Sequence, residues 1–143
     1  MTMNALTIRI PSSASSSPDA TRARALDALY ATGHWLLSRE RVRDAASVFR
    51  GMALLAPDDE RPWLALGACH EALKQAELAL DMYAAGQTLT RPAVRSRLAR
   101  ARVLAGLGRD DEAFDVRVSA EEVAESLGDE GLLALVSAER GVP

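Results

Sequence analysis

From Asp19 onward, apolar residues recur at helical spacing, and short polar breaks divide the chain into seven segments. The first segment carries Leu26, Leu29 and Tyr30 on one face, has Asp19 placed to cap it, and breaks near Ser38-Arg39-Glu40. The second carries Val42, Ala45, Val48, Phe49 and Met52. It stops at Ala56-Pro57-Asp58-Asp59, because Pro57 disfavours helical geometry at the residue before it. A third helix opens near Arg61-Pro62, where proline suits the first turn, and runs to about Leu73. A fourth spans about Ala76 to Leu89, and a fifth about Pro92 to Leu107, with Gly108 suited to its C-terminus. Asp110 or Asp111 can cap the sixth, which ends near Leu127-Gly128, and a seventh covers about 129–139. Residues 1–18 break the pattern. The stretch PSSASSSP, Pro11 to Pro18, has too few apolar groups to offset the entropy of ordering, so a flexible arm is expected. Within it Leu6 to Ile10 alternates in the manner of a strand, a weaker reading than a disordered tail.

Seven helices with short links imply hairpins, and a period ties them together. Gly33, Gly67 and Ala101 lie 34 residues apart, as do Ala45, Ala79 and Ala113, and Leu36, His70 and Leu104. Phe49 and Tyr83 share the spacing, with Arg117 third. Trp63, Leu66, Gly67, Ala79 and Tyr83 resemble the tetratricopeptide pattern, with His70 in the place of a core tyrosine. Leu29, Gly33, Ala45, Phe49 and Pro57 match it in the first repeat. The third is degenerate, with Ala101, Gly108 and Ala113 matching and Arg97 at the tryptophan position. Small residues at the repeated positions let the two helices of a hairpin approach closely, and Phe49 and Tyr83 fill the gap to the next hairpin. No hairpin buries its face alone, so three must stack, with the last helix covering the exposed end. The expected fold is all-α, with repeats at about 26–59, 60–93 and 94–127 and a capping helix at about 129–139.

Composition agrees with this. The 143 residues suit one domain, rich in Ala and Leu and only 4% aromatic, which favours close helix packing over a β-sandwich. A net charge of −3 gives no nucleic-acid signature. No stretch approaches the roughly 18 apolar residues that a membrane span needs, so no membrane insertion is expected. The start of the chain shows no signal peptide, with one early Arg and no long apolar run. The single cysteine, Cys69, forms no internal disulfide and no metal cage, which fits a reducing cytoplasm.

Cys69 beside His70 invites a catalytic reading. Adjacent helical residues point about 100° apart, and a free cysteine commonly packs as a small hydrophobe, so packing is strongly favoured. No paired-carboxylate cleft, metal motif or phosphate loop is present, and neither an enzyme nor a cofactor is expected. A different stripe faces one side of the stack. It consists of Tyr30, His34 and Leu37 in repeat one, Arg61, Leu64, Ala68 and Glu71 in repeat two, and Arg95, Leu98 and Arg102 in repeat three. A groove with Tyr, Leu and small residues on its walls and arginines on its rim suits an extended peptide with a few apolar anchors. Six arginines from Arg91 to Arg109 precede a run of acids from Asp110 to Glu130. The favoured reading is a basic helix beside an acidic one with weak ion pairs between them, ahead of a basic groove wall that steers acidic ligands.

The stretch LALGACHEALKQAELALDMYAAG, Leu64 to Gly86, and LYATGHWLLSRERVRDAASVF resemble the class II chaperones of bacterial type III secretion, the SycD/LcrH type. The likeness covers about Leu29 to Gly128. It implies a non-catalytic cytoplasmic chaperone that holds hydrophobic translocators soluble, with a short client segment extended in the groove. It further implies dimerisation through the N-terminal region. Carried over by position, Tyr30, His34, Leu37, Leu64, Ala68, Leu98 and Arg102 would line that groove. Family members often have aromatics where His34 and Leu98 stand. The alternative is a generic tetratricopeptide adaptor, or a chaperone for another secreted subunit such as that of the needle.

Overall fold

The computed structural model describes residues 17–141. These form α1 (Pro18–Ser38), α2 (Val42–Leu55), α3 (Glu60–Ala72), α4 (Ala76–Leu89), α5 (Val94–Gly106), α6 (Asp110–Leu127) and α7 (Glu130–Arg140). No strand occurs among the described residues, and the fold is all-α. Of the expected flexible arm, residues 1–16 lie outside the described residues, as does the Leu6–Ile10 alternation, while Pro18 is helical.

Two caps differ from expectation. The cap of α1 is Ser17, whose hydroxyl accepts from the Ala20 N–H at 3.1 Å, and Asp19 falls inside the first turn. Proline at the first helical position has a preset φ and lacks the N–H that would go unpaired there, so the helix starts earlier. The cap position of α6 is Arg109, with no side-chain cap bond, and Asp110, Asp111 and Glu112 sit in the first turn. There the acids favour the positive end of the helix dipole.

The hairpin turns are copies of one another. Glu40, Lys74 and Gly108, again 34 apart, have φ of +60°, +60° and +75°. The N–H of the next residue reaches back to the helix each time. Arg41 donates to the Leu36 carbonyl at 3.0 Å, Gln75 to His70 at 2.8 Å and Arg109 to Leu104 at 2.9 Å. A left-handed residue closing a helix end in this way satisfies carbonyls that would otherwise be orphaned.

α1 pairs with α2, α3 with α4 and α5 with α6; α2 then packs on α3 and α4 on α5. The first two hairpins are each held by an aromatic ring against a glycine. A Cβ at Gly33 would lie 2.4 Å from Cζ of Phe49, and one at Gly67 would lie 2.1 Å from Cε1 of Tyr83. The rings also reach the next unit: Phe49 shares a cluster with Ala65, Leu66 and Cys69, and Tyr83 shares one with Ala99 and Ala101. At the far end Leu132 and Val136 of α7 cover Val94, Leu98, Ala120 and Ala124.

These contacts set a sharp contrast between helical glycines. Gly67→Ala forces a methyl into the Tyr83 ring and is expected to cost about 1–3 kcal/mol, as overpacked cores do. Gly51, inside α2, has nothing within 4 Å of an added Cβ. Gly51→Ala is therefore expected to add about 0.5–1 kcal/mol through helix propensity. Urea denaturation of the two variants beside the parent checks both signs.

Candidate binding groove

The first helices of the three hairpins present one face together. A cavity of about 390 Å³ lies between α1 and α3, with Tyr30, His34, Arg61, Leu64, Ala68 and Arg95 among its walls. A second, of about 280 Å³, has Leu64, Ala68, Arg95, Leu98 and Arg102 on its walls. Leu64, Ala68 and Arg95 belong to both, so the two cavities form one trough. Six of the ten residues expected in a groove meet in the first cavity, and Leu98 and Arg102 join in the second.

Two others fall elsewhere. Glu71 lies on an adjoining cavity with Lys74, Arg102 and Leu107. Leu37 lines none of these cavities. Its half-buried side chain packs in the cluster around Phe49, against which Tyr30 also packs. Leu98, only 4% exposed, forms buried floor more than a protruding contact.

Several wall residues escaped the sequence stripe. Tyr83 comes from α4, a second helix of a hairpin, yet lines the second cavity. The gap at Gly67 lets its ring pass between the helices, and its hydroxyl donates to Glu71 Oε2. Burial, and then that bond, push its phenol pKa well above the ordinary value. Phe49 fills the equivalent slot in the first repeat but stays fully buried behind the wall, its ring 5.5 Å from His34 and 6.2 Å from Tyr30. Leu135 and Glu139 come from α7. A signal for them existed: they lie four residues apart on one face of α7, next to the face that buries Leu132 and Val136.

The charges of the trough are unequal. Arg61 is fixed by Asp59 at 2.7 Å and Asp27 at 3.0 Å, and its guanidinium lies 5.2 Å from the Tyr30 ring centre. The hydrogen bonds that Arg61 donates to Asp59 and Asp27 raise its pKa above the ordinary arginine value. Burial pushes the Asp59 carboxyl up, but its bonds to Arg61 outweigh this and leave it below its ordinary value. Arg102 lies 4.0 Å from Glu71 and 3.9 Å from Glu139. Arg95 is exposed, and its guanidinium has no ion pair or hydrogen bond among the described residues.

The expected ion pairs between the basic and acidic helices are not what forms. Among the described residues no salt bridge joins α5 to α6. Arg95 and Arg102, seven apart, share the trough face, Arg100 bonds Gln87 of α4, and Arg97 bonds Ser119 through uncharged oxygen. The interface between the two helices is taken by buried Leu98, Ala101, Ala120 and Ala124 instead.

Cys69 is fully buried, and burial raises its thiol pKa, the direction opposite to that of an activated nucleophile. His70 is half-buried, not in the core as its register implied, with Nδ1 2.8 Å from Gln75 Oε1. No group of three or more His, Cys, Asp or Glu residues among those described is placed to hold a metal.

A stack of three tetratricopeptide-type hairpins with an open trough on its first-helix face is the class of protein that fold and geometry define. No protein-family model matches the chain, and no curated protein matches it significantly. Solved structures do. SycD, the type III secretion translocator chaperone of Yersinia enterocolitica, is 28% identical with a TM-score of 0.69, over 85% of this chain and 88% of that one. PcrH from Pseudomonas aeruginosa is 30% identical with a TM-score of 0.68, over 81% and 89%. PcrH in complex with the chaperone binding region of PopB is 30% identical with a TM-score of 0.68, over 81% and 94%. The chain belongs to this family, the translocator chaperones of type III secretion.

The Asp59–Arg61 pair carries a pH signature. Asp59 also caps α3, accepting from the Arg61 N–H at 3.0 Å. Asp59→Ala is expected to cost about 1 kcal/mol at neutral pH, the usual worth of such a cap. The folded-state pKa of Asp59 lies below its unfolded value of 3.8, so the unfolded state takes up the proton first. The contribution is full above that value and is lost as pH falls through the depressed one. Denaturation curves of parent and variant should therefore converge in strong acid and stay apart above it.

Proposed function

We propose that this chain is a non-catalytic chaperone of the bacterial cytoplasm that holds hydrophobic translocator proteins soluble before secretion. A short extended client segment lies in the trough formed by α1, α3 and α5. The observation that carries this reading is the continuity of the two cavities through Leu64, Ala68 and Arg95. It is supported by the solved complexes of PcrH with the chaperone binding regions of PopB and PopD, and of SycD with a peptide of the translocator YopD. A homodimer is part of the proposal, since SycD has been solved as a dimer in an alternative arrangement. No helix among the described residues is long and apolar enough to cross a membrane.

The energetics suit holding and release. Exposed membrane-inserting segments aggregate in water, and a trough offers their neighbouring chain a place to be kept. Each well-buried apolar anchor contributes about 1.5–3 kcal/mol before the cost of association. Three anchors then give roughly micromolar affinity, strong enough to retain a client and weak enough to surrender it.

Co-expression with the proteins encoded beside it tests the reading. The parent should recover in soluble form a partner with long apolar segments. Tyr30→Ala combined with Leu64→Glu should abolish recovery while the far-UV circular dichroism stays helical. Ala68 is exposed. Ala68→Trp, which fills the trough without touching the core, should do the same. Undiminished recovery by both variants would refute the groove.

A further inference from the structure

We propose that Arg95 makes the trough selective for client segments that carry an Asp or Glu side chain between their apolar anchors. This rests on the groove reading above and adds a chemical requirement to it. Arg95 stands on the wall shared by both cavities, beside Leu64 and Ala68, at the middle of the path of an extended chain. The other two arginines of the trough are already matched. Arg61 has Asp59 and Asp27, and Arg102 faces Glu71 and Glu139. Glu60, a carboxylate that lines the first cavity together with Arg95, makes no ion pair with it and instead accepts from Ser96, whose hydroxyl donates at 2.8 Å and whose N–H donates at 3.2 Å. Among the described residues Arg95 is thus the trough arginine without an ion-pair partner.

An apolar segment laid over that guanidinium would strip its water and return nothing, which opposes binding. A carboxylate in the segment reverses the sign, because the planar fork of arginine takes a carboxylate through two parallel charge-assisted bonds. The apolar walls lower the local dielectric and exclude competing water, so the pair counts for more than one on an open surface. Arg95 therefore penalises purely apolar sequences and rewards an acid at a fixed offset from the anchors. This is discrimination by an unpaired group as well as by an attractive one.

A randomised peptide library displayed on phage, panned on the full-length protein, tests this directly. The parent should enrich apolar anchors with Asp or Glu at a constant offset between them. Arg95→Gln should keep the anchors and lose the acid. Arg100→Gln, which removes an equal charge outside the trough, should keep both. In a synthetic copy of the best peptide, Glu→Gln should weaken binding to the parent about tenfold and leave binding to Arg95→Gln nearly unchanged. Anchors enriched without an acid on the parent, or an acid lost equally with Arg100→Gln, would overturn the charge inference and leave the groove standing. Equal recovery on the parent and on Ala68→Trp would overturn the groove and this inference together. Arg95 is exposed, and an unchanged thermal midpoint in Arg95→Gln shows that any loss is local.

Discussion

The structure depends on a missing side chain. Gly33 and Gly67 leave a slot in the first helix of the first two hairpins, and a ring from the second helix occupies each. Helices that meet through ordinary side chains stay about 8–10 Å apart. Here a phenyl or phenol lies where a Cβ would be, so the second helix reaches through the first. The same rings continue into the core of the next hairpin, which couples pairing within a repeat to stacking between repeats. The reach of those rings has a second effect. Phe49 supports Tyr30 and His34 from behind, and Tyr83 arrives as part of the trough wall itself. The face that meets a client is thus backed by residues of the helices behind it.

The third hairpin lacks this device and solves the problem differently. The register puts Ala101 and Arg117 where a glycine and a ring would be. Arg117 is half-buried, and no ring crosses to the trough there. The wall is completed by α7, whose Leu135 and Glu139 line the second cavity while Leu132 and Val136 close the core. A cap in a repeat protein must hide the last apolar face. This one also supplies part of the trough, and the Glu139–Arg102 pair ties it across to α5. Elsewhere in the same hairpin a polar residue takes over an apolar duty. Trp63 donates its indole N–H to the Pro57 carbonyl at 2.9 Å, and Arg97, in the same register, donates to the Pro92 carbonyl at 2.9 Å.

Periodicity made the helices and their pairing readable, because a 34-residue spacing of glycine, alanine and aromatic residues has few structural solutions. It misled in places where a side chain's direction is set by a neighbour. Leu37 followed Tyr30 and His34 in the stripe, yet it is drawn into the cluster around Phe49. Tyr83 looked like filler between hairpins and is filler and wall at once. Chain order pairs the arginines of α5 with the acids that follow them, but sequence proximity is a poor guide to which face of a helix meets which neighbour. Buried apolar residues took that interface, while Arg95 and Arg102 face the trough, Arg100 reaches α4 and Arg97 meets α6 through the Ser119 hydroxyl. Glu40 and Lys74 share the 34-residue spacing of Gly108, so the one glycine of the three marks the left-handed turn for all of them.

The distribution of charge in the trough follows from how its walls are built. Arg61 must stay near Asp59, because the same carboxylate caps α3, and a residue held by a cap is not free to serve a ligand. Arg102 sits where α3, α5 and α7 come together, and there two carboxylates balance it while joining the cap to the stack. Arg95 has neither duty. It lies one helical turn before Leu98 on a helix whose opposite side is fully committed to α6, and so it is the position in the trough whose identity the fold does not require. Residues that hold a fold together are constrained by that fold, while those exempt from it can be set by what is bound. In a trough whose aromatic backing and paired charges are spent on architecture, discrimination among extended apolar chains falls to the exempt position.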